Sequence, residues 1–208
     1  MASPSQRAGH QPPVAFQANV QRLRSALANS APASREQLAN NKNAAAVLVP
    51  IFERQGELHI VYIRRSDHVE SHRGQVAFPG GRVDPGDATL LDAALREALE
   101  EVAIEPGTVD VLGAFPVMST LTSGITVAPF AGVIPATTDL RPCPKEVAEI
   151  FDVPLSALTD SRYRGEFEWQ RDGGSTSRFP AILYGGQTIW GLTLRITMNL
   201  LEILGAQT

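Results

Sequence analysis

Residues 80–102 leave the backbone little choice. The paired glycines Gly80-Gly81 and the Pro85-Gly86 step mark turns. Beyond them Leu91, Leu95, Ala98 and Val102 recur at helical spacing. A strand would scatter those apolar side chains over both faces, so the chain is read as bending sharply and then running as a helix with one side on a core. Asp87, just ahead of that helix, reads as its N-cap. The other side carries carboxylates. Glu97 and Glu101 are four apart and Glu97 and Glu100 three apart, so all three project from one patch. Such like-charge pairs cost roughly 0.2–0.5 kcal/mol each, and the last turn, where Glu100 and Glu101 fall, disfavours anions. A divalent cation reverses both penalties, and carboxylate oxygens are the ligands that hard Mg²⁺ or Mn²⁺ prefer. Standing alone, the same run is a solvated acidic face. The surrounding residues decide between the two.

Bulk properties narrow the classes. A chain of 208 residues, 43% of them hydrophobic, supplies one sizeable α/β core. The net charge of -4 offers no broad basic surface for nucleic acid, so a nucleotide ligand should be small and held locally. The single cysteine, Cys143, forms no internal disulfide and fits a reducing compartment. Residues 1–13 lack the apolar stretch of a signal peptide, and the longest apolar run, 44–52, is far short of the roughly 20 residues that span a bilayer. No membrane association and a cytoplasmic location are the expectation.

Two regions follow from the patterning: a tail with an amphipathic helix over 1–43, and a catalytic domain over 44–208. Phe16, Val20, Leu23 and Leu27 line one side of a helix over 14–29, which packs on the core or on a second subunit as a homodimer contact. Residues 45–53 and 58–64 flank Arg54-Gln55-Gly56-Glu57 as a hairpin. His59 in the second strand reads as a packed or surface side chain and not as a metal ligand. Residues 109–118 and 125–134 read as a strand pair whose Pro116, Pro129 and Pro135 argue for edges, bulges or strand ends. Phe115 and Phe130 read as core, and a cleft between this pair and the acidic helix would suit a nucleotide end. Residues 142–155 begin as a proline-fixed loop and become apolar. A second hairpin is expected over 163–169 and 177–184, then a closing helix marked by Trp190, Leu194, Thr197, Leu201 and Leu204.

Gly81, then Asp87 after five residues, then Arg96-Glu97-Ala98-Leu99-Glu100-Glu101-Val102-Ala103-Ile104 together resemble the signature of the Nudix hydrolase family. The departures are Asp87 for Glu, one extra residue before Arg96, and Ala103 for Gly. Upstream, Arg65-Ser66 and His72-Arg73-Gly74-Gln75-Val76-Ala77-Phe78-Pro79-Gly80-Gly81 resemble the segment of the coenzyme A pyrophosphatase branch, with Glu70 where that branch has Arg. Trp190-Gly191-Leu192-Thr193 is similar to the same branch's late Trp-Gly-any-Thr.

The resemblance implies an α/β fold, a Nudix-type α/β/α sandwich with a mixed β-sheet between helices. It implies Mg²⁺ or Mn²⁺ held by the Gly81 carbonyl with Glu97, Glu100 and Glu101. Arg96 is expected to orient the glutamates or to pair with Asp87, and Glu146, from a late loop, to take a proton from water or help bind metal. As a structural alternative, Glu146 is a surface carboxylate. Arg65, Ser66, His72, Arg73, Gln75 and Phe78 are the expected substrate contacts; His72 equally reads as a loop hydrogen-bonder. The implied reaction cleaves coenzyme A or its derivatives to 4'-phosphopantetheine and adenosine 3',5'-bisphosphate. Two other readings stand beside it: the same chemistry on ADP-ribose or another nucleoside diphosphate derivative, which Glu70 favours, and a catalytically silent nucleotide-binding module, against which the intact glutamates count.

Overall fold

A computed structural model describes residues 13–28, 44–67, 74–120, 124–170 and 176–206. The chain runs α1 (Val14–Leu27), β1 (Ala44–Arg54), β2 (Glu57–Arg65), β3 (Val76–Ala77), β4 (Gly80–Arg82) and α2 (Leu90–Val102). There follow β5 (Asp110–Ala114), β6 (Met118–Ser119), β7 (Thr126–Val133), β8 (Val147–Pro154) and the short α3 (Leu155–Thr159). The last elements are β9 (Arg164–Gln170), β10 (Thr176–Tyr184), β11 (Gln187–Trp190) and α4 (Gly191–Ile203).

β1 and β2 form the expected hairpin around Gln55-Gly56, but they pair only from Ile51 to Arg54 against Glu57 to Ile60. Beyond that ladder each takes a different neighbour. β1 takes β4 antiparallel on that side and β7 parallel on the other, while β2 takes β3 and β8. β5 and β6 extend the sheet past β7. The link from β3 to β4 therefore runs between the two long strands, tied to β1 where the Leu48 N–H donates to the Pro79 carbonyl (2.9 Å). This wedge is what sets Gly80 and Gly81 in place.

Both faces of the sheet are covered, so β1 and β2 are nearly continuous in apolar residues. Leu48, Phe52, Val61 and Ile63 pack with Ala98 and Val102 of α2. Val49, Ile51, Ile60 and Tyr62 face the other way and join Phe16, Leu23 and Leu27 of α1 with Ile196, Leu200 and Leu201 of α4. The result is the α/β/α sandwich with a mixed sheet. The apolar stripe of α1 is used inside its own chain, where Arg24 also pairs with Asp110 (2.6 Å). β9, β10 and β11 form a separate antiparallel sheet. Among the described residues no helix is long and apolar enough to cross a membrane.

Five expectations need correction. The strand expected over 109–118 is two strands, interrupted at Phe115 to Val117. Pro129 sits within β7, which has neighbours on both sides, and no ladder bond is lost there. A residue's N–H and C=O point to the same side of a strand, and the Pro129 carbonyl accepts from the Phe115 N–H (2.9 Å). Its missing donor thus faces the interruption between β5 and β6. Residues 147–154 are a strand, and Trp190 closes β11 instead of beginning the last helix. Thr89, not Asp87, caps α2: its hydroxyl accepts from the Asp92 N–H and the Asp92 carboxylate accepts from the Thr89 N–H.

At the other end of α2, Ala103 adopts a left-handed conformation (φ 59°) that a Cβ disfavours. Ala103→Gly is expected to stabilise the protein by about 1 kcal/mol, read as a rise in thermal midpoint. An unchanged or lower midpoint would show that the gain in chain entropy on unfolding outweighs the relieved strain.

Candidate functional site

Two consecutive glycines place the backbone under the acidic helix for different reasons. Gly80 has φ 152°, and a Cβ there would overlap the Ala46 carbonyl and the Val47 Cα of β1. A Cβ on Gly81 would lie 2.5–2.7 Å from the carboxylate of Glu97. The first glycine lets β4 lie against β1, and the second leaves space for a functional group. Gly80→Ala is expected to prevent stable folding, because backbone atoms cannot move aside. Gly81→Ala should fold normally but displace Glu97, losing metal-dependent turnover. Circular dichroism and an activity assay on both variants separate these outcomes; an active Gly81→Ala would break the assignment of Glu97.

Glu97 and Glu101 lie one helical turn apart and point into one cavity of about 710 Å³. Glu101 is almost wholly buried (1%), with one carboxylate oxygen accepting from the Gly80 N–H (2.9 Å) and the other 3.4 Å from Arg65. Glu146 joins them. Carboxylate oxygens of Glu97, Glu101 and Glu146 all lie within 4.8 Å of one another. Glu146 arrives there because its loop is laced to the end of α2: the Cys143 N–H donates to the Glu101 carbonyl (2.9 Å) and the Arg141 N–H to that of Val102 (3.2 Å). The Ser66 N–H then donates to the Glu146 carbonyl (2.8 Å).

Burial pushes the Glu101 carboxyl up to about 7, against the pull of the Gly80 N–H and Arg65, and nearby Glu97 and Glu146 add to the rise. Burial also raises Glu97, opposed by Arg96 and assisted by Glu100 and Glu146. Three carboxylates held this close, with all-oxygen donors and one of them deeply buried, fit a hard divalent cation.

Arg96 stands behind the cluster. Its guanidinium binds Asp87 through two nitrogens (3.0 and 3.1 Å), Glu97 (2.9 Å), Glu100 (3.3 Å) and the Arg82 carbonyl (3.1 Å). The hydrogen bonds that Arg96 donates to the Asp87 carboxylate chiefly hold its pKa above the usual range. Glu100 is the outlier of the expected trio. Its side chain is 57% exposed and turned to Arg96, since consecutive positions on a helix diverge by about 100° and Glu101 takes the cavity side.

Of the expected substrate contacts, Arg65, Gln75 and Phe78 line the cavity, as does Gly81. Ser66 does not; it is 3% exposed and its N–H serves the Glu146 loop. His72, Arg73 and Glu70 lie outside the described residues. The cavity is also lined by Trp169 and Phe179, expected only as hairpin residues, and by Trp190, Leu192 and Thr193 of the late Trp-Gly-any-Thr segment. The alternation Phe167-any-Trp169 in an amphipathic strand was the available signal. Arg82 and Arg195 also reach the lining. Phe115 and Phe130 are buried, as expected of core residues.

A family model described as the NUDIX domain matches residues 42–171. The Nudix hydrolase NudL of Yersinia enterocolitica is 43% identical over 165 residues, covering 78% of this chain and 82% of that protein. NudL of Salmonella newport is 39% identical over 168 residues, covering 80% and 85%. Among solved structures, a C. elegans Ap4A hydrolase binary complex aligns with TM-score 0.46 at 19% identity over 54% of this chain and 80% of that one. The NUDIX domain of Shewanella oneidensis NrtR complexed with ADP ribose aligns with TM-score 0.44 at 16% identity, over 59% and 84%.

Proposed function

Because the chain belongs to the Nudix hydrolase family, we propose that it is a divalent-metal-dependent pyrophosphohydrolase of coenzyme A or its derivatives. Water attacks one phosphorus and the bridging P–O bond breaks, leaving 4'-phosphopantetheine and adenosine 3',5'-bisphosphate. The observation that carries this is the convergence of Glu97, Glu101 and Glu146 in the cavity that Arg65 and Gln75 also line. The last two belong to the segment resembling the coenzyme A branch.

Glu97 and Glu101, with Glu146, Glu100 and the Gly81 carbonyl beside them, are the groups that would hold Mg²⁺ or Mn²⁺. Such an ion supplies charge neutralisation of the diphosphate and a bound water of lowered pKa. Arg65 contributes a planar donor for phosphate oxygens, and Gln75 a neutral one. Glu146, the exposed member of the three, takes the proton from the attacking water. Arg96 positions Glu97 and contacts no substrate. The lone cysteine, Cys143, supports a cytoplasmic site of action.

Turnover of coenzyme A, dephospho-coenzyme A and ADP-ribose with Mg²⁺ and with Mn²⁺ tests the reading. Coenzyme A should have the highest kcat/KM. A preference for ADP-ribose would favour the alternative that Glu70 supports, in which the nucleotide half is shared and the other half differs. Glu146→Gln should lower kcat by about a hundredfold with little change in thermal midpoint, because the side chain is exposed. Full turnover in that variant removes Glu146 from the chemistry.

A further inference from the structure

Besides the carboxylates, the cavity is lined by rings from one face of the small sheet, Trp169, Phe179 and Trp190. In the β9–β10 ladder Phe179 stands across from Phe167 and Ser177 from Trp169, and in the β10–β11 ladder Trp190 stands across from Ala181. Phe167, Trp169, Phe179 and Trp190 therefore share one face. The opposite face carries Glu166, Glu168 and Arg178, exposed and paired with one another (Arg178 to Glu168 3.0 Å, to Glu166 3.9 Å). That second face also carries Ile182 and Ile189, which are fully buried in the core, while Trp169, Phe179 and Trp190 of the ring face line the cavity. All four rings are only half-buried. Large aromatic side chains left in that state, beside a site of chemistry, mark a ligand surface.

The arrangement of the rings selects the ligand. Phe167 stacks on Trp190 at 4.2 Å and 28°, Trp169 meets it at 5.2 Å and 60°, and Phe179 at 5.8 Å and 40°. The rings contact one another at differing tilts, and these angles leave no pair of parallel faces for a purine to slide between. What they form is a concave apolar wall, continued along the lining by Leu192 and Leu194. Phe179, Trp190 and both leucines also lie beyond residues 42–171, the part matched by the family model. The wall thus joins Phe167 and Trp169, at the end of the matched segment, to residues that follow it.

We propose that Trp169, Phe179 and Trp190 form a subsite for the non-nucleotide half of the substrate, holding an alkyl or thioester arm attached beyond the second phosphate. This deepens the reading of the site as a coenzyme A pyrophosphatase and rests on it for the identity of the arm. The subsite itself is tested without hydrolysis.

The chain has two tryptophans, and both are in this wall, so intrinsic tryptophan emission reports on it alone. Emission of the Mg²⁺-loaded protein is titrated with S-octanoyl-4'-phosphopantetheine and, separately, with adenosine 3',5'-bisphosphate. The thioester should change the emission saturably and the bisphosphate should leave it unchanged. Phe179→Ala should weaken thioester binding about tenfold; should that variant not fold, Trp169→Leu at the outer strand carries the same comparison. A response to the bisphosphate alone, or to neither probe, overturns the proposal. If the probes behave as expected while coenzyme A is not hydrolysed, the subsite stands and the assigned substrate falls.

Discussion

Glu101→Gln is expected to abolish turnover and, in the metal-free protein above neutral pH, to raise stability. The loss of activity follows from removing the most buried carboxylate of the cluster; on the order of a thousandfold in kcat is expected for a ligand of this kind. The gain in stability follows from the pKa. The folded protein holds the Glu101 proton with a pKa of about 7, well above the value near 4.3 of an unfolded chain. Between these values the folded state binds more protons than the unfolded one, so this group makes the protein less stable as pH rises from about 4.3 to about 7. Above pH 7 the penalty is complete, on the order of 3 kcal/mol. A neutral Gln keeps an acceptor for the Gly80 N–H and avoids the penalty. Denaturant melts with EDTA should therefore show the two proteins converging near pH 4.5 and the variant ahead at pH 8. Adding Mn²⁺ should reverse the order, since the ion stabilises only the protein that binds it. The same proton competes with metal: Mn²⁺ affinity of the wild type should fall about tenfold per pH unit below 7. A variant no more stable than wild type at pH 8 would mean that Arg65 and the Gly80 N–H already offset the burial of the charge.

What could be read from the sequence was what local periodicity determines. The spacing of Leu91, Leu95, Ala98 and Val102 places α2 and its buried side, and the apolar runs around Gln55-Gly56 place the first hairpin. The pairing of Glu97 with Glu101 follows from their separation of four. That Glu100 turns away does not, because its separation of three from Glu97 is equally compatible with a shared patch, and only the burial of Glu101 against Gly80 shows which side faces the cavity. β8 escaped notice because Glu149 and Asp152 interrupt its apolar pattern and its partner β2 is about ninety residues away. Glu146 was identifiable by resemblance, but its place beside Glu101 is set by backbone bonds from Arg141 and Cys143 to the end of α2, which no side-chain pattern encodes. The ring-lined wall needed three strands in register before four separated aromatic residues became one surface.

Arg96→Met is expected to destabilise the protein strongly although it leaves the hydrophobic core untouched. Asp87 is 6% exposed and depends on two guanidinium nitrogens for its charge. Without them it keeps the Asp84 N–H at 2.8 Å but no longer has the cation that held it most closely. Breaking a buried pair from one side costs more than the pair contributes, and because Arg96 is itself 27% exposed the lower end of the usual range applies, about 3 kcal/mol. For a chain of this size that is roughly 6–12 °C in thermal midpoint. Arg96→Lys should recover little, since a single ammonium cannot reach Asp87, Glu97 and the Arg82 carbonyl together. Asp87→Asn combined with Arg96→Met should regain more than half of the loss, because the amide removes the stranded charge; this is the coupling a double-mutant cycle measures. Glu100→Gln is the control on the same guanidinium. Its carboxylate is exposed, so less than about 0.5 kcal/mol is expected. Activity discriminates between a scaffold and a positioning role. With Asp87→Asn and Arg96→Met together, stability returns but Glu97 remains unheld, and kcat should stay about ten- to a hundredfold low. If kcat recovered along with the midpoint, Arg96 would be a structural residue alone, and the alignment of Glu97 would have to come from Gly81 and the wedge between β1 and β2.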